Sequence, residues 1–309
     1  NILTSHHLSG WTETASGIRA DFIDKATGKP QGSFEGPLLI AADGIHSTIR
    51  EKLYPGEGAP IWNGRILWRG ISESESFLSG RTMIMAGHQH VKFVCYPISN
   101  PDSSGRQQIN WIAERTLDPD YRWRREDYNR AGKLEEFLPL FKDWQFGWLD
   151  VPALIQNCKH VYEYPLVDRD PVDRWTFDRV TLMGDAAHPM YPIGSNGASQ
   201  AILDARTLAR EFVAKGVTID ALLAYESERR PATADLVRLN RQNGPEQVMQ
   251  LVEERAPDGF DVVTEVLSQQ ELEDIATNYK RVAGFQVEAL NEKPSIVSMP
   301  QATLMSNAR

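Results

Sequence analysis

"RVTLMGDAAHPMYPIGSNGASQAILDARTLAREF", Arg179 to Phe212, is the stretch whose reading decides the fold. An apolar run ends at Gly184-Asp185, small residues cluster from Gly194 to Gly197, and "AILDARTLAREF" takes up helical periodicity. The pattern is a strand, a tight turn, and a loop opening into a helix. Nearly bare backbone at a helix start lets an anionic or hydrogen-bonding ligand approach. Asp185 stands where a carboxylate accepts hydrogen bonds from sugar or polyol hydroxyls. The amides of Ser195, Asn196 and Gly197 begin a helix whose positive end suits developing negative charge.

A second unit, "LLIAADGIHSTIR", Leu38 to Arg50, repeats the logic. A buried-type strand, Leu38 to Ala42, closes on Asp43-Gly44, and a helix is expected from about Ser47, ending before Pro55. A strand ending in Asp-Gly puts a carboxylate and bare backbone at the carboxyl edge of a sheet, where open α/β folds bind ligands. Alone it could be a plain turn with Asp43 as a helix cap. Two such units in one chain are harder to read that way.

Between and around them the chain changes character. "ILTSHHLSGWTETASGIRADFID" alternates apolar and polar residues as an antiparallel hairpin does. From Ile61 to about Arg115, "RILWRGIS", "RTMIMAG", "VKFVCYPI" and "QQINWIAER" predict a mostly antiparallel sheet. "LEEFLPLF" has helical spacing. Helices are expected over Ala198 to Ala214, Ile219 to Arg241, Glu246 to Glu254 and Gln269 to Arg281, with an extended tail from Asn291. The expected division is 1–60 and 176–245 as an α/β part, 61–175 as an inserted sheet domain, and 246–309 as C-terminal helices and tail.

These 309 residues are 41% hydrophobic and 24% charged, ordinary for a soluble globular chain. A net charge of -9 argues against nucleic acid or an anionic membrane as the main partner. No apolar run is long enough to span a bilayer. Cys95 and Cys158 make neither a disulfide framework nor a metal spacing, so a cytoplasmic location is expected. His88 and His90 alternate on a hairpin but have no third ligand at suitable spacing, so no metal is expected.

In these motifs the chain resembles the single-component FAD-dependent aromatic monooxygenases, the p-hydroxybenzoate and salicylate hydroxylase-like enzymes, especially their phenazine-pathway branch. "LLIAADGIHSTIR" matches the family's Asp-Gly motif and "RVTLMGDAAHPMYPIGSNGASQAILDA" its Gly-Asp motif; "YPLVDRDPVDRW", "ILWRG", "NWIAER" and "YESERRP" fit as well. The resemblance runs from about Ile2 to Lys280. It implies an α/β, Rossmann-like FAD-binding fold (GR2-type) with the inserted sheet as substrate domain. It also implies FAD and NAD(P)H as cofactors, a small aromatic substrate and dioxygen as partners, a flavin hydroperoxide as hydroxylating agent, and a monomer or homodimer.

By the same resemblance Asp185 binds the ribityl hydroxyls, with Gly184 letting the chain pass close. Pro192, Gly194, Ser195, Asn196, Gly197 and Ala198 line the flavin's pyrimidine edge. Asp43 and Gly44 sit near the pyrophosphate and the path of NAD(P)H, with Arg50 a further candidate. Trp68, Phe93 and Tyr191 are the expected aromatic walls of the substrate pocket, and Arg69 or Arg81 could meet an acidic substrate. By strand period either Phe93 and Cys95 or Val94 and Tyr96 face that pocket. His188 reads as a structural residue of the turn rather than a base.

The chain departs from the family at Ser195-Asn196-Gly197, where many relatives have Gly-Gln-Gly, and at Ser199, commonly Asn. The family's opening strand, G-x-G-x-x-G turn and helix for the ADP half of FAD do not occur in this sequence. That βαβ segment amounts to on the order of 100 residues, the size of a small domain. The first residue is Asn1, which suggests a piece of a longer protein. Two other readings follow: a flavin-dependent reductase or dehydrogenase on the same scaffold, or a fragment that cannot hold FAD and folds poorly alone.

Overall fold

The computed structural model describes residues 2–118, 120–121 and 130–292. The tail expected from Asn291 thus lies almost wholly outside the described residues. The chain forms two compact units. One is built from residues up to Ile61, from Asp168–Pro245 and from Glu273 onward; the other comprises Trp62–Val167 and Glu246–Leu272. The C-terminal helices, expected as one group, therefore divide. Gln247–Arg255 belongs with the sheet because Lys92 forms ion pairs with Glu114 and with Glu246 at that helix's start.

In the first unit, His7–Glu13, Ile18–Ile23 and Pro30–Gly36 form an antiparallel meander. The third strand was not expected; its Pro30, Gly32 and Gly36 hide the strand signal. Ile18 and Ala20 are buried while Arg19 between them is exposed, the period-2 alternation of a half-buried sheet. Thr176–Phe177, Val180–Leu182 and Leu39–Ala41 make a second three-stranded sheet in that strand order reading outward. Its core gathers Ala41, Ile49, Trp175, Leu182, Leu208 and Tyr225.

The long helices are Gly197–Lys215 and Ile219–Arg241, followed by Gln269–Ala283. Thr218 caps the second, its hydroxyl accepting the Ala221 N–H.

The second unit is a five-stranded sheet in the order Tyr162–Asp168, Ile61–Glu75, Arg106–Thr116, Val91–Pro97, Ile84–Gly87. Its last four strands are antiparallel neighbours, with Trp68 opposite Ala113 and Phe93 also opposite Ala113. One face carries Trp68, Phe93, Cys95 and Trp111 into a core closed by Phe137, Phe141, Leu154 and Ile155. Trp68 stacks on Phe137 with centroids 4.6 Å apart and an 11° interplanar angle. Such a pair adds about 0.5–1.5 kcal/mol beyond its buried area.

Candidate functional site

The two motif strands are hydrogen-bonded neighbours. Val180–Leu182 runs parallel to Leu39–Ala41, with Leu182 opposite Ala41, and the Met183 N–H donates to the Ala41 carbonyl. Parallel pairing puts both carboxyl ends at the same sheet edge. The Asp43-Gly44 and Gly184-Asp185 turns therefore leave the sheet side by side, the edge at which open α/β folds bind ligands.

At that edge Asp43 and Asp185 are both exposed. Asp43 is partly a cap: its Oδ2 accepts the Thr48 N–H at 2.9 Å. Asp185 faces the start of the next helix, for a Cβ built on Gly197 would lie 4.0 Å from Asp185 Oδ1. Pro192, Ser195 and Ala198 are exposed along the same loop. Gly194 and Ser195 both have positive φ, +70° and +54°. For Ser195 this left-handed conformation costs roughly 1–2 kcal/mol, so the surroundings must hold it.

The helix Gly197–Lys215 starts without a side-chain cap, although Asn196 at its N-cap is a preferred capping residue. The Asn196 side chain is buried and turned inward to the Tyr279 hydroxyl. Asn196, expected at the ligand, thus offers backbone there and not its amide side chain. The N–H groups of the first turn are thus left without a side-chain cap.

Beneath the turn lies a buried ionic knot. Asp204, fully buried, accepts the Gly184 N–H at 3.0 Å and His188 Nε2 at 2.5 Å on Oδ2, and Arg229 Nε at 2.7 Å on Oδ1. Arg229 also donates to Gln200 Oε1 at 2.6 Å. Burial pushes the Asp204 carboxyl up, but the His188 hydrogen bond and the charges of His188 and Arg229 outweigh it and hold it below its ordinary value. His188 is buried against Trp175, with its Nδ1 unpartnered.

Several expected site residues are placed elsewhere. Arg50 is 1% exposed: it pairs with Glu57 and donates to the carbonyls of Ala186, Ala187 and Asp170. Its buried guanidinium is a strut for the backbone that follows Gly184-Asp185. Arg169 does similar work, bridging Ile45, Glu57 and Gly58.

Trp68 and Phe93, expected as pocket walls, lie in the core of the sheet unit. Trp68 donates to Glu163, and Phe93 is fully buried against Phe141 and Trp111. The Phe93 and Cys95 face is the one covered by the 134–156 segment, so Val94 and Tyr96 lie on the other. Tyr191 is also buried, its hydroxyl near the Ile61 carbonyl and Asp168. Arg81 and Arg69 are both exposed; Arg69 lines an open cavity of about 490 Å³ with Lys159, His160, Tyr162 and Tyr164, its Nε donating to Asn110.

Asp204, Arg229, Asn240 and Tyr279 went unnoticed in the sequence. The available signal was a polar stripe, Gln200, Asp204, Thr207 and Glu211, at helical spacing; these residues are buried while Ile202 is 69% exposed.

Comparison with known proteins adds to this geometry. The family described as "FAD binding domain" matches residues 158–240. The chain is 42% identical over 246 residues to the phenazine 1,6-dicarboxylic acid hydroxylase of Lysobacter antibioticus, covering 78% of this chain and 60% of that protein. It is 33% identical over 240 residues to a 3-amino-4-hydroxybenzoate 2-monooxygenase of Streptomyces platensis, covering 76% of this chain and 55% of that protein. The chain thus spans somewhat over half the length of these relatives.

Among solved structures it superposes on Klebsiella pneumoniae HpxO complexed with FAD and uric acid, with a TM-score of 0.64 and 23% identity over 92% of this chain and 66% of that one. A salicylate hydroxylase substrate complex gives 0.65 and 23%, over 94% and 71%. These likenesses establish the mixed α/β fold of the FAD-binding hydroxylases. Among the described residues, no helix is long and apolar enough to cross a membrane.

Proposed function

Because the chain belongs to the family of FAD-dependent aromatic monooxygenases, we propose that it hydroxylates an aromatic or heteroaromatic ring using NAD(P)H and dioxygen on bound FAD. The observation that carries this reading is the parallel pairing of Leu39–Ala41 with Val180–Leu182, which sets the Asp43-Gly44 and Gly184-Asp185 turns side by side.

The residues present fit the ribityl and pyrimidine half of that cofactor. Gly197 leaves a gap before Asp185 Oδ1 that a side chain would narrow, and the exposed carboxylate has the chemistry to accept hydroxyl hydrogens. Bound FAD would supply the redox chemistry, taking electrons from NAD(P)H and activating dioxygen. The protein's own part is binding and electrostatics. Asp185 orients the polyol chain, while the uncapped amides that follow Asn196 stabilise negative charge at the pyrimidine edge. Pro192, Gly194, Ser195 and Ala198 complete that edge, and Asp43 with Gly44 borders the pyrophosphate. Arg50 acts only through the backbone after Gly184-Asp185 that it supports.

In the sheet unit Arg69, on its cavity wall, is the cation we assign to an acidic group on the substrate ring. A cytoplasmic monomer or homodimer completes the proposal, in keeping with the free thiols Cys95 and Cys158.

Single turnover of the flavin-loaded protein with labelled dioxygen tests the reading. One labelled oxygen atom in the product is expected. Product without label would overturn it in favour of a reductase or dehydrogenase.

A further inference from the structure

The loop between Tyr191 and Gly197 is held from behind by two side chains that do not belong to it. Tyr279, on the helix Gln269–Ala283, accepts the Asn196 amide hydrogen on its hydroxyl. The same hydroxyl lies 3.0 Å from Asn240 Oδ1 and 3.2 Å from the Ile193 carbonyl. A phenol has one proton, so it donates to one of these acceptors at a time. Asn240 in turn donates from Nδ2 to the Tyr191 carbonyl at 3.2 Å. The chain Asn196 to Tyr279 to Asn240 to Tyr191 therefore ties the end of the loop to its beginning.

Packing reinforces the tie. Tyr279 is buried, and its ring lies where side chains on Gly194 or Gly244 would stand: a Cβ at Gly194 would come within 2.0 Å of the hydroxyl, one at Gly244 within 2.8 Å of Cε2. Gln200 Nε2 adds a bond from the next helix to the Ala283 carbonyl at 2.9 Å. Between the tied ends sits Ser195 in the left-handed region, a conformation that persists only where its surroundings over-determine it.

We propose that Tyr279 is a positioning residue for the proposed flavin edge: by drawing the Asn196 side chain inward it fixes the strained Ser195 turn and keeps the first-turn amides aimed at the ligand. This inference rests on the flavin reading of the site.

Tyr279→Phe removes the hydroxyl and keeps the ring, so the packing against Gly194 survives. The first measurement needs no flavin: hydrogen exchange of the Ser195 and Gln200 amides, which donate to the Pro192 and Asn196 carbonyls. About fivefold faster exchange is expected there, the equivalent of one neutral hydrogen bond, with the meander at Ile18–Ile23 unchanged. Asn196→Ala, which removes the other partner, should accelerate the same amides, and the double variant no more than either alone. In the flavin-loaded protein, Tyr279→Phe should raise the FAD Kd by a similar factor and shift the flavin midpoint potential to more negative values.

Unchanged exchange at Ser195 and Gln200 in a folded Tyr279→Phe protein would overturn the proposal, as would faster loop exchange with the Kd and potential of a flavin-binding parent unaltered. Faster exchange in a protein whose parent takes up no FAD would instead overturn the flavin reading, leaving the loop tie standing.

Discussion

Asp204 accepts the backbone N–H of Gly184 at 3.0 Å, across twenty residues of chain, with a carboxylate that is itself fully buried. The helix that follows the Gly-Asp turn thereby holds the turn that precedes it. The same carboxylate takes His188 and Arg229, so turn, helix and the helix Ile219–Arg241 share one anion. The exposed Asp185 gains a fixed backbone from an aspartate that never reaches the surface.

Removing that anion strands its partners. Asp204→Ala leaves a buried guanidinium, an imidazole and an amide N–H without their acceptor, a loss expected to cost about 3–5 kcal/mol. Asp204→Asn keeps the shape and one acceptor oxygen and should cost less. Urea unfolding of the three proteins checks the order. Equal midpoints for the parent and Asp204→Ala would show that the knot contributes nothing to stability.

Acid should expose the same group. The Asp204 carboxyl titrates below its unfolded value when folded, so its contribution to stability is complete above the unfolded value and is lost as pH falls through the folded one. The window lies below about pH 4. Asp168 runs the other way: burial raises its carboxyl despite the Arg241 hydrogen bond, so its protonation favours the folded state as pH falls. Comparing parent with Asp204→Asn cancels Asp168 and every other carboxylate. The stability difference should shrink as pH drops below about 4, where the unfolded parent's aspartate takes up a proton before the folded one does. A difference constant from neutral pH into that acid range would contradict it.

Much of this was legible in the sequence because each strand-turn-helix unit announces itself locally. The expected helix Ile219 to Arg241 is observed with those bounds, and Leu38 to Ala42 appears as Leu39–Ala41. The face of the sheet was not legible. Phe93 and Val94 differ by one residue, and only the helical segment that covers one side decides which is core. The support of the site was hidden for a different reason. Gln200 and Asp204 have the polarity of an outer helical face, and their burial depends on Arg229 arriving from the next helix. Periodicity reads apolar stripes, and this stripe is polar. Tyr279 is harder still, since its partners Asn196 and Asn240 lie 83 and 39 residues away.

The two cysteines should differ sharply as nucleophiles. Cys95 is fully buried in the sheet core, and burial pushes its thiol up to about 12. Almost no thiolate exists there at neutral pH. Cys158 is partly exposed, its thiol directed at the His160 carbonyl. Iodoacetamide treatment of the native protein, followed by peptide mass mapping, should modify Cys158 and spare Cys95; denaturation should remove the difference. Equal labelling of both in the native state would place Cys95 outside the core described.

Two glycines of the loop separate folding from ligand binding. At Gly194 a Cβ would meet the Tyr279 hydroxyl at 2.0 Å and would have to accept a φ of +70°. Gly194→Ala should therefore destabilise the protein by about 1 kcal/mol or more from the left-handed conformation alone, seen as a lower Tm with or without FAD. At Gly197 a Cβ would come no nearer than 4.0 Å to a side chain among the described residues, that of Asp185 at Oδ1, and the residue begins a helix. Alanine is the better helix former by about 1 kcal/mol in a helix interior, so Gly197→Ala should leave the flavin-free Tm unchanged or slightly raised. Its methyl group stands in the gap before Asp185, and FAD affinity should fall by about tenfold or more, as expected for about 1.4 kcal/mol of lost binding. Fluorescence titration of FAD beside the melting curves reads both effects. Full FAD affinity in Gly197→Ala would mean that the cofactor does not pass between Gly197 and Asp185.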